Sequence, residues 1–279
     1  MHIAITGSKG QLGRALQEVL SRETLLLLDL PENDITDGAE IFNTIVDFYP
    51  DVVIHAAAYT NVDGCELEPD RAYAVNALGT QNVALACAEC GADMLYVSTN
   101  EVFDGTKKEP YLEFDQPNPI GVYGRSKLAG ELYVRDLLSR FYIVRTAWLY
   151  ARGGNNFVTK IVRAADERGE LSVVTNEVSS PTYAPDLAEA ISRLILTGHY
   201  GIYHLTNEGY CSRYEFACKI LELSDRGHVP VRPITSEEYT RAAKPPPYTV
   251  IRNFCAATSL GIRLRPWEEA LEEYFSHER

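Results

Sequence analysis

The sequence predicts an α/β protein with a doubly wound parallel sheet and a smaller C-terminal lobe. Short, solidly apolar segments alternate with helical segments over residues 1–150. Strands without a polar face belong to parallel sheets that helices cover on both sides. Beyond residue 150 the alternation becomes irregular. We therefore expect one domain over residues 1–150 and a smaller lobe over 151–279, with residues 183–198 returning to the first.

The predicted elements follow in order along the first domain. Five apolar segments are predicted as strands: HIAIT, TLLLLDL, DVVIHAAA, DMLYVST and FYIVRTAWLY. Four segments between them are predicted as helices: GQLGRALQEVL, DGAEIFNTIVDFYP, EPDRAYAVNALGTQNVALACAEC and GRSKLAGELYVRDLLS. Apolar residues at helical spacing, with a proline after the end, indicate the second of these helices.

The smaller lobe is predicted from less regular segments. A strand, a loop and a helix that begins at Ala184-Pro185-Asp186 are expected first. A second strand, loop and helix follow over residues 201–223, then a proline-rich loop at 241–250 and a final helix at 265–275. No repeat or low-complexity linker separates the two parts.

Composition excludes several classes of function. The 279 residues carry a net charge of −13, from 39 acidic and 26 basic residues, and no Lys/Arg cluster stands out. Neither nucleic acid nor an anionic membrane is an expected partner. The apolar segments are shorter than the roughly 20 residues of a membrane span. The N-terminus enters a strand directly, without a signal-peptide pattern, so a cytoplasmic protein is expected.

The six cysteines do not form a pattern typical of disulfide or zinc proteins. Cys87 and Cys90 make one C-x-x-C within a helical segment, with no second pair to complete a zinc site. We interpret the cysteines as free thiols of a reducing compartment and predict no metal site.

A glycine-rich segment, TGSKGQLG, lies between the first strand and the first helix, with glycines at 7, 10 and 13. Glycine allows the backbone to approach a pyrophosphate, whose charge then lies at the helix N-terminus. Asp29 follows at the end of the second strand, where a carboxylate can bind the ribose hydroxyls. These features predict a dinucleotide site. Because no Arg or Lys flanks Leu30 and Pro31 to hold a 2′-phosphate, NADH is favoured over NADPH.

A tyrosine and a lysine four residues apart, Tyr123 and Lys127, begin the segment VYGRSKLAGE. Residues at i and i+4 share one face of a helix, so an ammonium can lie beside the phenol and lower its pKa from about 10. The phenol can then protonate a carbonyl oxygen while hydride reaches the carbon. By itself this common pattern favours an exposed pair of residues on a helix. After a dinucleotide loop and a strand that ends in Ser98-Thr99, it predicts a catalytic site.

Together these features resemble the extended short-chain dehydrogenase/reductase superfamily. Over essentially the whole chain, the segments resemble the dTDP-4-dehydrorhamnose reductase family: TGSKGQLG, HAAAYTNVDGCE, AYAVNALGTQNVA, VYGRSKLAGE, VRTAWLYARGGNNFV, SSPTYAPDLA and GIYHLTNEG. The resemblance implies a Rossmann fold with a substrate-binding C-terminal lobe. It implies reduction, by NADH or NADPH, of the C4 ketone of a nucleotide-linked 4-keto-6-deoxyhexose, dTDP-4-dehydro-L-rhamnose in the family.

The resemblance also implies roles for individual residues. Thr99 is expected to act with Tyr123 and Lys127 in catalysis. Cofactor contacts are expected at Gly7, Gly10, Gln11, Leu12, Asp29, Ala56, Ala57, Ala58, Asn76, Tyr123 and Lys127. Substrate contacts are expected at Thr60, Asn61, Val62, Asn100, Glu101 and Trp148. Asn155 and Asn156 fit either a substrate contact or a turn. The cations Lys244, Arg263 and Arg265 fit either contact with a nucleotide diphosphate or solvated positions, and we interpret them as solvated charges.

Two departures from the family pattern bear on these expectations. The family usually has STDYVFDG, with aspartate and tyrosine touching the sugar, where this chain has Asn100 and Glu101. Because these positions contact the sugar in the family, we expect the difference to affect the identity of the substrate and not the type of reaction. Some members form a metal-linked dimer through a glutamate just after the glycine loop, but this chain has Ala15 there. Neither magnesium nor that dimer is therefore expected, and we predict a monomer or weak homodimer.

Two other functions remain open at this stage. The segment STNEVF also resembles the TDEVY of dTDP-glucose 4,6-dehydratases, where the glutamate removes a sugar proton; Asn100 cannot replace the carboxylic proton donor. Alternatively, the chain resembles the regulatory beta subunit of methionine adenosyltransferase, an NAD(P)-binding partner protein. The intact set of Thr99, Tyr123 and Lys127 favours an enzyme.

Overall fold

The computed structural model describes residues 1–276. Its strands are β1 (His2–Thr6), β2 (Thr24–Leu28), β3 (Val52–His55), β4 (Asp93–Thr99), β5 (Phe141–Thr146), β6 (Leu149–Tyr150), β7 (Leu171–Val174), β8 (Val178–Ser179), β9 (Thr182–Tyr183), β10 (Gly201–His204), β11 (Cys211–Ser212) and β12 (Val231–Ile234). Its helices are α1 (Gln11–Val19), α2 (Gly38–Phe48), α3 (Val62–Leu67), α4 (Pro69–Tyr73), α5 (Thr80–Cys90), α6 (Val122–Leu137), α7 (Phe157–Arg168), α8 (Ala184–Leu194), α9 (Arg213–Leu223), α10 (Phe254–Ser259) and α11 (Trp267–Ser276). A π-helical turn covers Ala74–Gly79, and 3-10 turns cover Asn100–Val102 and Ser236–Glu238.

Six parallel strands form the central sheet in the order β10-β5-β4-β3-β1-β2. The predicted doubly wound parallel sheet is confirmed. From β1 the chain winds outward to β2, then returns to add β3, β4 and β5 on the other side. The carboxyl ends of β1 and β3 therefore border the crevice where open α/β sheets bind ligands.

Helices cover both faces of the sheet. Because side chains alternate along each strand, successive residues are buried in two different cores. Ile3 and Ile5 of β1 pack with Leu16 of α1 and Leu187 of α8. Ala4, between the two isoleucines, belongs to the opposite core with residues of α2 and α5. This two-sided burial explains why the predicted strands have no polar face. None of the helices in residues 1–276 is both long and apolar enough to cross a membrane.

The smaller lobe has its own core, in which Phe216 packs against Tyr150, Phe157 and Trp267. Its short strands pair as β6 with β9, β7 with β12 and β8 with β11. From the same half of the chain, α8 packs on α1 and β10 pairs with β5. A domain boundary near residue 150, with a return of the chain over α8, stays a prediction.

Two predicted elements are interrupted in the structure. The predicted strand FYIVRTAWLY ends at Thr146, because Trp148 has a φ of 41° and directs the chain to pair with β9. The predicted helix over residues 68–90 is divided into α4, the π-helical turn and α5. Such turns often occur at functional sites, and this one lies against α6.

Two buried histidines should make the stability of the fold depend on pH. His55 and His204, at the ends of β3 and β10, have no solvent-exposed surface. Burial lowers the pKa of each imidazole to about 3, below the value of about 6.5 of an unfolded chain. The neutral rings contribute fully above pH 6.5, and their contribution is lost as pH falls towards 3. Each histidine should reduce the free energy of unfolding by about 2 kcal/mol between pH 7 and 5.

Urea unfolding of His204→Leu at both pH values tests this expectation. The His204 ring lies edge-on to Phe103 at 5.7 Å and interacts only weakly with the backbone of Tyr111 and Arg252, so the variant chiefly removes the titrating group. It should lose about 2 kcal/mol less than the wild type on acidification. His228→Gln, at an exposed position, is the matched control and should behave like the wild type. An unchanged pH dependence in His204→Leu would contradict the assignment.

Candidate active site

A cleft of about 1050 Å³ runs along the carboxyl ends of the central strands. Residues after β1 and β3 line one part, and residues at the ends of β4 and β5 line the next. On the side of the smaller lobe, Asn155 and Arg213 line the cleft together with Trp148, which packs against the core of that lobe. The cleft therefore lies at the crevice that the strand order creates, where the sequence predicts its chemistry.

The glycine loop forms one end of this cleft. Gly7 has a φ of 71°, and a Cβ atom there would lie 2.7 Å from the backbone nitrogen of Ala57. Only glycine permits this approach of the loop to the end of β3. Helix α1 follows with Gly10 as its N-cap and without a side-chain cap, so its first N–H groups are available to an anion. Gly10, Gln11 and Leu12 all line the cleft.

Asp29 lies beside the glycine loop. Its carboxylate accepts hydrogen bonds from the backbone N–H groups of Lys9 and Leu30, both at 2.7 Å, and lines the cleft. The Lys9 ammonium donates to the Leu30 carbonyl at 2.7 Å and pairs with Glu32 at 2.9 Å. The loop, the helix N-terminus and this carboxylate fit the pyrophosphate and ribose of a dinucleotide.

The residues after β3 that are expected to contact cofactor or substrate form two groups, one that lines the cleft and one that does not. Ala56, Ala57, Ala58, Thr60 and Val62 line the cleft. Asn76 and Asn61 are not among the lining residues.

The two asparagines hold the cleft wall from behind. Asn76 is fully buried, accepts from the Tyr59 N–H at 2.8 Å and donates to the Ser126 hydroxyl at 3.0 Å. Asn61 caps α3 by accepting from the Gly64 N–H at 3.0 Å. Both side chains therefore hold segments of the cleft wall in position, and their contacts with cofactor and substrate stay predictions.

Thr99, Tyr123 and Lys127 converge on the middle of the cleft. Thr99 ends β4, and the other two lie in the first two turns of α6. Helix α6 approaches β4 closely: a Cβ atom at Gly124 would lie 2.1 Å from the carbonyl oxygen of Glu101. The glycine after Tyr123 therefore determines how near the phenol comes to the strand end.

The Lys127 side chain is only 2% exposed. Its ammonium donates to the Val97 carbonyl at 2.8 Å and lies 4.1 Å from the centre of the Tyr96 ring. Burial lowers the pKa of Lys127 to about 7, although the charge of Glu131 opposes this. The ammonium is thereby fixed in direction and only weakly hydrated.

The pKa of Tyr123 moves in the opposite direction from the one predicted. Burial raises it first, the negative charge of Glu101 raises it further, and a hydrogen-bonding interaction with the Thr99 side chain partly opposes them. Lowering by Lys127 is not the controlling effect, because desolvation disfavours the phenolate. The phenol stays protonated at neutral pH, which is the form that a proton donor needs.

Asn100 and Glu101, the two residues that depart from the family pattern, have different surroundings. Asn100 is 3% exposed, and its amide donates to the Thr249 hydroxyl at 2.7 Å and the Ser179 hydroxyl at 2.9 Å. It ties the end of β4 to the C-terminal half at the cleft wall. Burial raises the pKa of Glu101 to about 7, opposed by the charges of Arg213 and Arg241.

Arg213, which sequence reasoning missed, lines the cleft at the start of α9. Its guanidinium carbon lies 3.5 Å from the centre of the Trp148 ring. Trp148 packs against the core of the smaller lobe, and Arg213 begins a helix of that lobe. No local pattern in the sequence distinguishes this arginine, since a capping box at Ser212 and Glu215 accounts for the surrounding segment.

Of the remaining candidate residues, the two asparagines line the cleft and the three cations do not. Asn156 caps α7 and donates to the Gln11 side chain at 2.8 Å, which joins the glycine-loop helix to the smaller lobe. Arg263, Arg265 and Lys244 do not line the cleft. Interpreting Arg265 as a solvated charge was wrong, because it forms two hydrogen bonds with Asp186 at 2.9 and 2.8 Å.

The parallel sheet, the glycine loop and the Thr/Tyr/Lys group define a nicotinamide-dependent oxidoreductase of the extended short-chain dehydrogenase/reductase class. A family model described as the RmlD substrate binding domain matches residues 1–279. The chain belongs to this family, that of the dTDP-4-dehydrorhamnose reductases.

Relatives and solved structures resemble the chain over its whole length. The spore coat polysaccharide biosynthesis protein SpsK of Bacillus subtilis is 39% identical, with 98% of this chain and 96% of that protein covered. The dTDP-4-dehydrorhamnose reductase structure from Clostridium acetobutylicum has a TM-score of 0.97 at 42% identity, covering 100% of this chain and 99% of that one. The Bacillus anthracis enzyme, in complex with NADP, has a TM-score of 0.96 at 42% identity and covers 99% of both chains.

Proposed function

We propose that this protein reduces the C4 ketone of a dTDP-linked 4-keto-6-deoxyhexose, converting dTDP-4-dehydro-L-rhamnose to dTDP-L-rhamnose. One observation supports this above all: Thr99, Tyr123 and Lys127 line the same cleft as the glycine loop. The dTDP-4-dehydrorhamnose reductases that match at 42% identity over nearly the whole chain support the choice of substrate.

Each residue of the cleft has a part in this reaction. The glycine loop and the N-terminus of α1 would hold the pyrophosphate, and Asp29 the adenosine ribose. When bound, the reduced nicotinamide supplies the hydride that reaches C4. Thr99 orients the carbonyl, and Tyr123 gives its proton to the carbonyl oxygen. Lys127 stabilises the phenolate that results and holds the nicotinamide ribose.

We propose NADH as the preferred form of the cofactor. The Asp29 carboxylate lines the cleft where it would repel a 2′-phosphate. Lys9, whose backbone N–H donates to Asp29, has its ammonium already paired with Glu32. The related Bacillus anthracis structure holds NADP. The test of the proposal therefore compares turnover with NADH and with NADPH directly.

The direct test is turnover of dTDP-4-dehydro-L-rhamnose, followed by the loss of reduced-nicotinamide absorbance. We expect stoichiometric conversion to dTDP-L-rhamnose, with kcat/KM about 3- to 10-fold higher for NADH because one like-charge contact costs about 1 kcal/mol. A preference for NADPH would overturn the argument from Asp29 alone. Tight cofactor binding without turnover of any dTDP-4-keto-sugar would favour the regulatory-subunit alternative.

The dehydratase alternative finds less support in the site. Such an enzyme needs a carboxylic acid at position 100 to protonate the departing hydroxyl. Asn100 has no such proton, and its amide is already bonded to Ser179 and Thr249. Incubation with dTDP-glucose and NAD⁺ should therefore release no 4-keto-6-deoxy sugar.

We propose further that the protein is cytoplasmic and acts as a monomer or weak homodimer without a nucleic-acid partner. Six free thiols fit a reducing compartment, and a net charge of −13 disfavours nucleic acid. Ala15, at the position of the metal-binding glutamate in some members, is buried in the core formed with α8.

A further inference from the structure

Two charged side chains face the cleft without a hydrogen bond to the described protein. The Glu101 carboxylate accepts none from any group in residues 1–276, and the Arg213 guanidinium donates none. Within the same residues, the ion-pair partner of Arg213 is Glu177, at 3.8 Å. Partly buried charged groups usually have hydrogen-bond partners in a folded protein. The hydrogen-bonding capacity of both groups is therefore available to a ligand.

Both groups are held in position. Glu101 lies in the 3-10 turn directly after Thr99, and its backbone carbonyl packs against Gly124, the neighbour of Tyr123. The guanidinium of Arg213 is stacked on Trp148 at 3.5 Å and lies 4.8 Å from the centre of the Phe157 ring.

The charges of the two groups also influence each other and the predicted proton donor. Each of Glu101 and Arg213 shifts the pKa of the other, and Glu101 shifts that of Tyr123. Glu101, Arg213, Thr99 and Tyr123 all line the same cleft, and Glu101 lies two residues after Thr99. A carboxylate acceptor and a guanidinium donor thus face the space in which the sugar would lie.

The geometry points to a recognition site for the hydroxyl adjacent to the ketone: we propose that Glu101 and Arg213 bind the 3-hydroxyl of the 4-keto sugar and select 3-hydroxy over 3-deoxy substrates. This inference rests on the proposed function, because Thr99 and Tyr123 must first place C4. Of the two carbons next to C4, C3 bears a hydroxyl, whereas C5 bears a methyl group and the ring oxygen. A hydroxyl can donate to the carboxylate and accept from the guanidinium at once.

The test compares two substrates, the 3-hydroxy and 3-deoxy forms of the dTDP-4-keto-6-deoxyhexose, for the wild type, Glu101→Gln and Arg213→Met. Hydrogen bonds to charged groups should give the wild type a preference of about 10- to 100-fold in kcat/KM for the 3-hydroxy form. Each variant should lose about 10-fold on that substrate and about twofold or less on the 3-deoxy form. Glu170→Gln, an exposed position outside the cleft, is the matched control and should retain the wild-type preference.

The ratio between substrates separates recognition from structural damage. Equal losses on both substrates would show that Glu101 and Arg213 only support the fold, and would overturn the inference, as would a wild type that reduces both forms equally well. A wild type that reduces neither form would instead contradict the proposed function, and the inference with it. Cofactor affinity, measured for each variant, should stay within about twofold of the wild type because neither side chain lies at the glycine loop.

Discussion

Tyr123→Phe should lower kcat/KM for the keto-sugar by about 10²- to 10⁴-fold, the range for loss of a general acid. The variant keeps the ring that fills the cleft wall but removes the proton that the carbonyl oxygen must receive. NADH affinity should change by less than about twofold, because the ring of residue 123 is kept and the other proposed cofactor contacts, the glycine loop and Asp29, lie elsewhere in the cleft. Steady-state rates and a fluorescence titration with NADH measure the two quantities separately.

A second tyrosine on the same helix provides the control for this prediction. Tyr133 of α6 does not line the cleft, so Tyr133→Phe should retain wild-type turnover. If Tyr123→Phe were as active as this control, the proton would have to come from another group. Loss of NADH affinity together with activity would indicate a damaged site and not a missing acid.

Arg145→Met should lower the free energy of unfolding by about 3–5 kcal/mol, the typical result of leaving one charge of a buried pair alone. Arg145 of β5 and Glu131 of α6 have side chains that are 2% and 1% exposed and are joined by hydrogen bonds of 2.9 and 2.7 Å. The Ser98 hydroxyl donates to the same carboxylate at 2.5 Å. Denaturant unfolding measures the loss directly.

Two variants show whether the isolated charge is the cause. Arg135→Met removes an exposed arginine of α6 and should change stability by less than about 0.5 kcal/mol. Adding Glu131→Gln to Arg145→Met removes the unpaired carboxylate and should restore part of the lost stability. A double variant as unstable as the sum of the single variants would mean that packing, and not charge, holds this region together.

This buried pair also connects stability with the proposed chemistry. Glu131 lies one turn after Lys127 on α6, and its charge opposes the lowering of the lysine pKa. Ser98, which it binds, directly precedes Thr99 at the end of β4. The pair therefore fixes the strand and the helix that present the three predicted catalytic residues.

The sequence predicts the main sheet and the position of the glycine loop in the cleft, because local patterns specify both. Solidly apolar strands require cover on both faces, and the glycine loop between β1 and α1 acts through its own backbone. Tyr123 and Lys127 share a face through helical geometry alone. These features need no knowledge of distant contacts.

Other expectations depended on packing that local sequence does not contain. The interruption of the fifth predicted strand at Trp148 follows from pairing with β9, more than 30 residues later. The placement of Asn61 and Asn76 behind the cleft wall follows from bonds to the backbone of neighbouring segments and to α6. The upward shift in the pKa of Tyr123 follows from burial, which a residue pattern does not measure.

By itself, therefore, the sequence determined the parallel sheet, the dinucleotide loop and the spacing of the tyrosine and lysine, since each is encoded by residues close together in the chain. Only the tertiary structure decided what surrounds Glu101. Arg213 lies far along the chain, yet it is stacked on Trp148 in the same cleft. Such a pairing arises where the smaller lobe meets the carboxyl ends of the central strands, because side chains distant in sequence are brought into one cleft there.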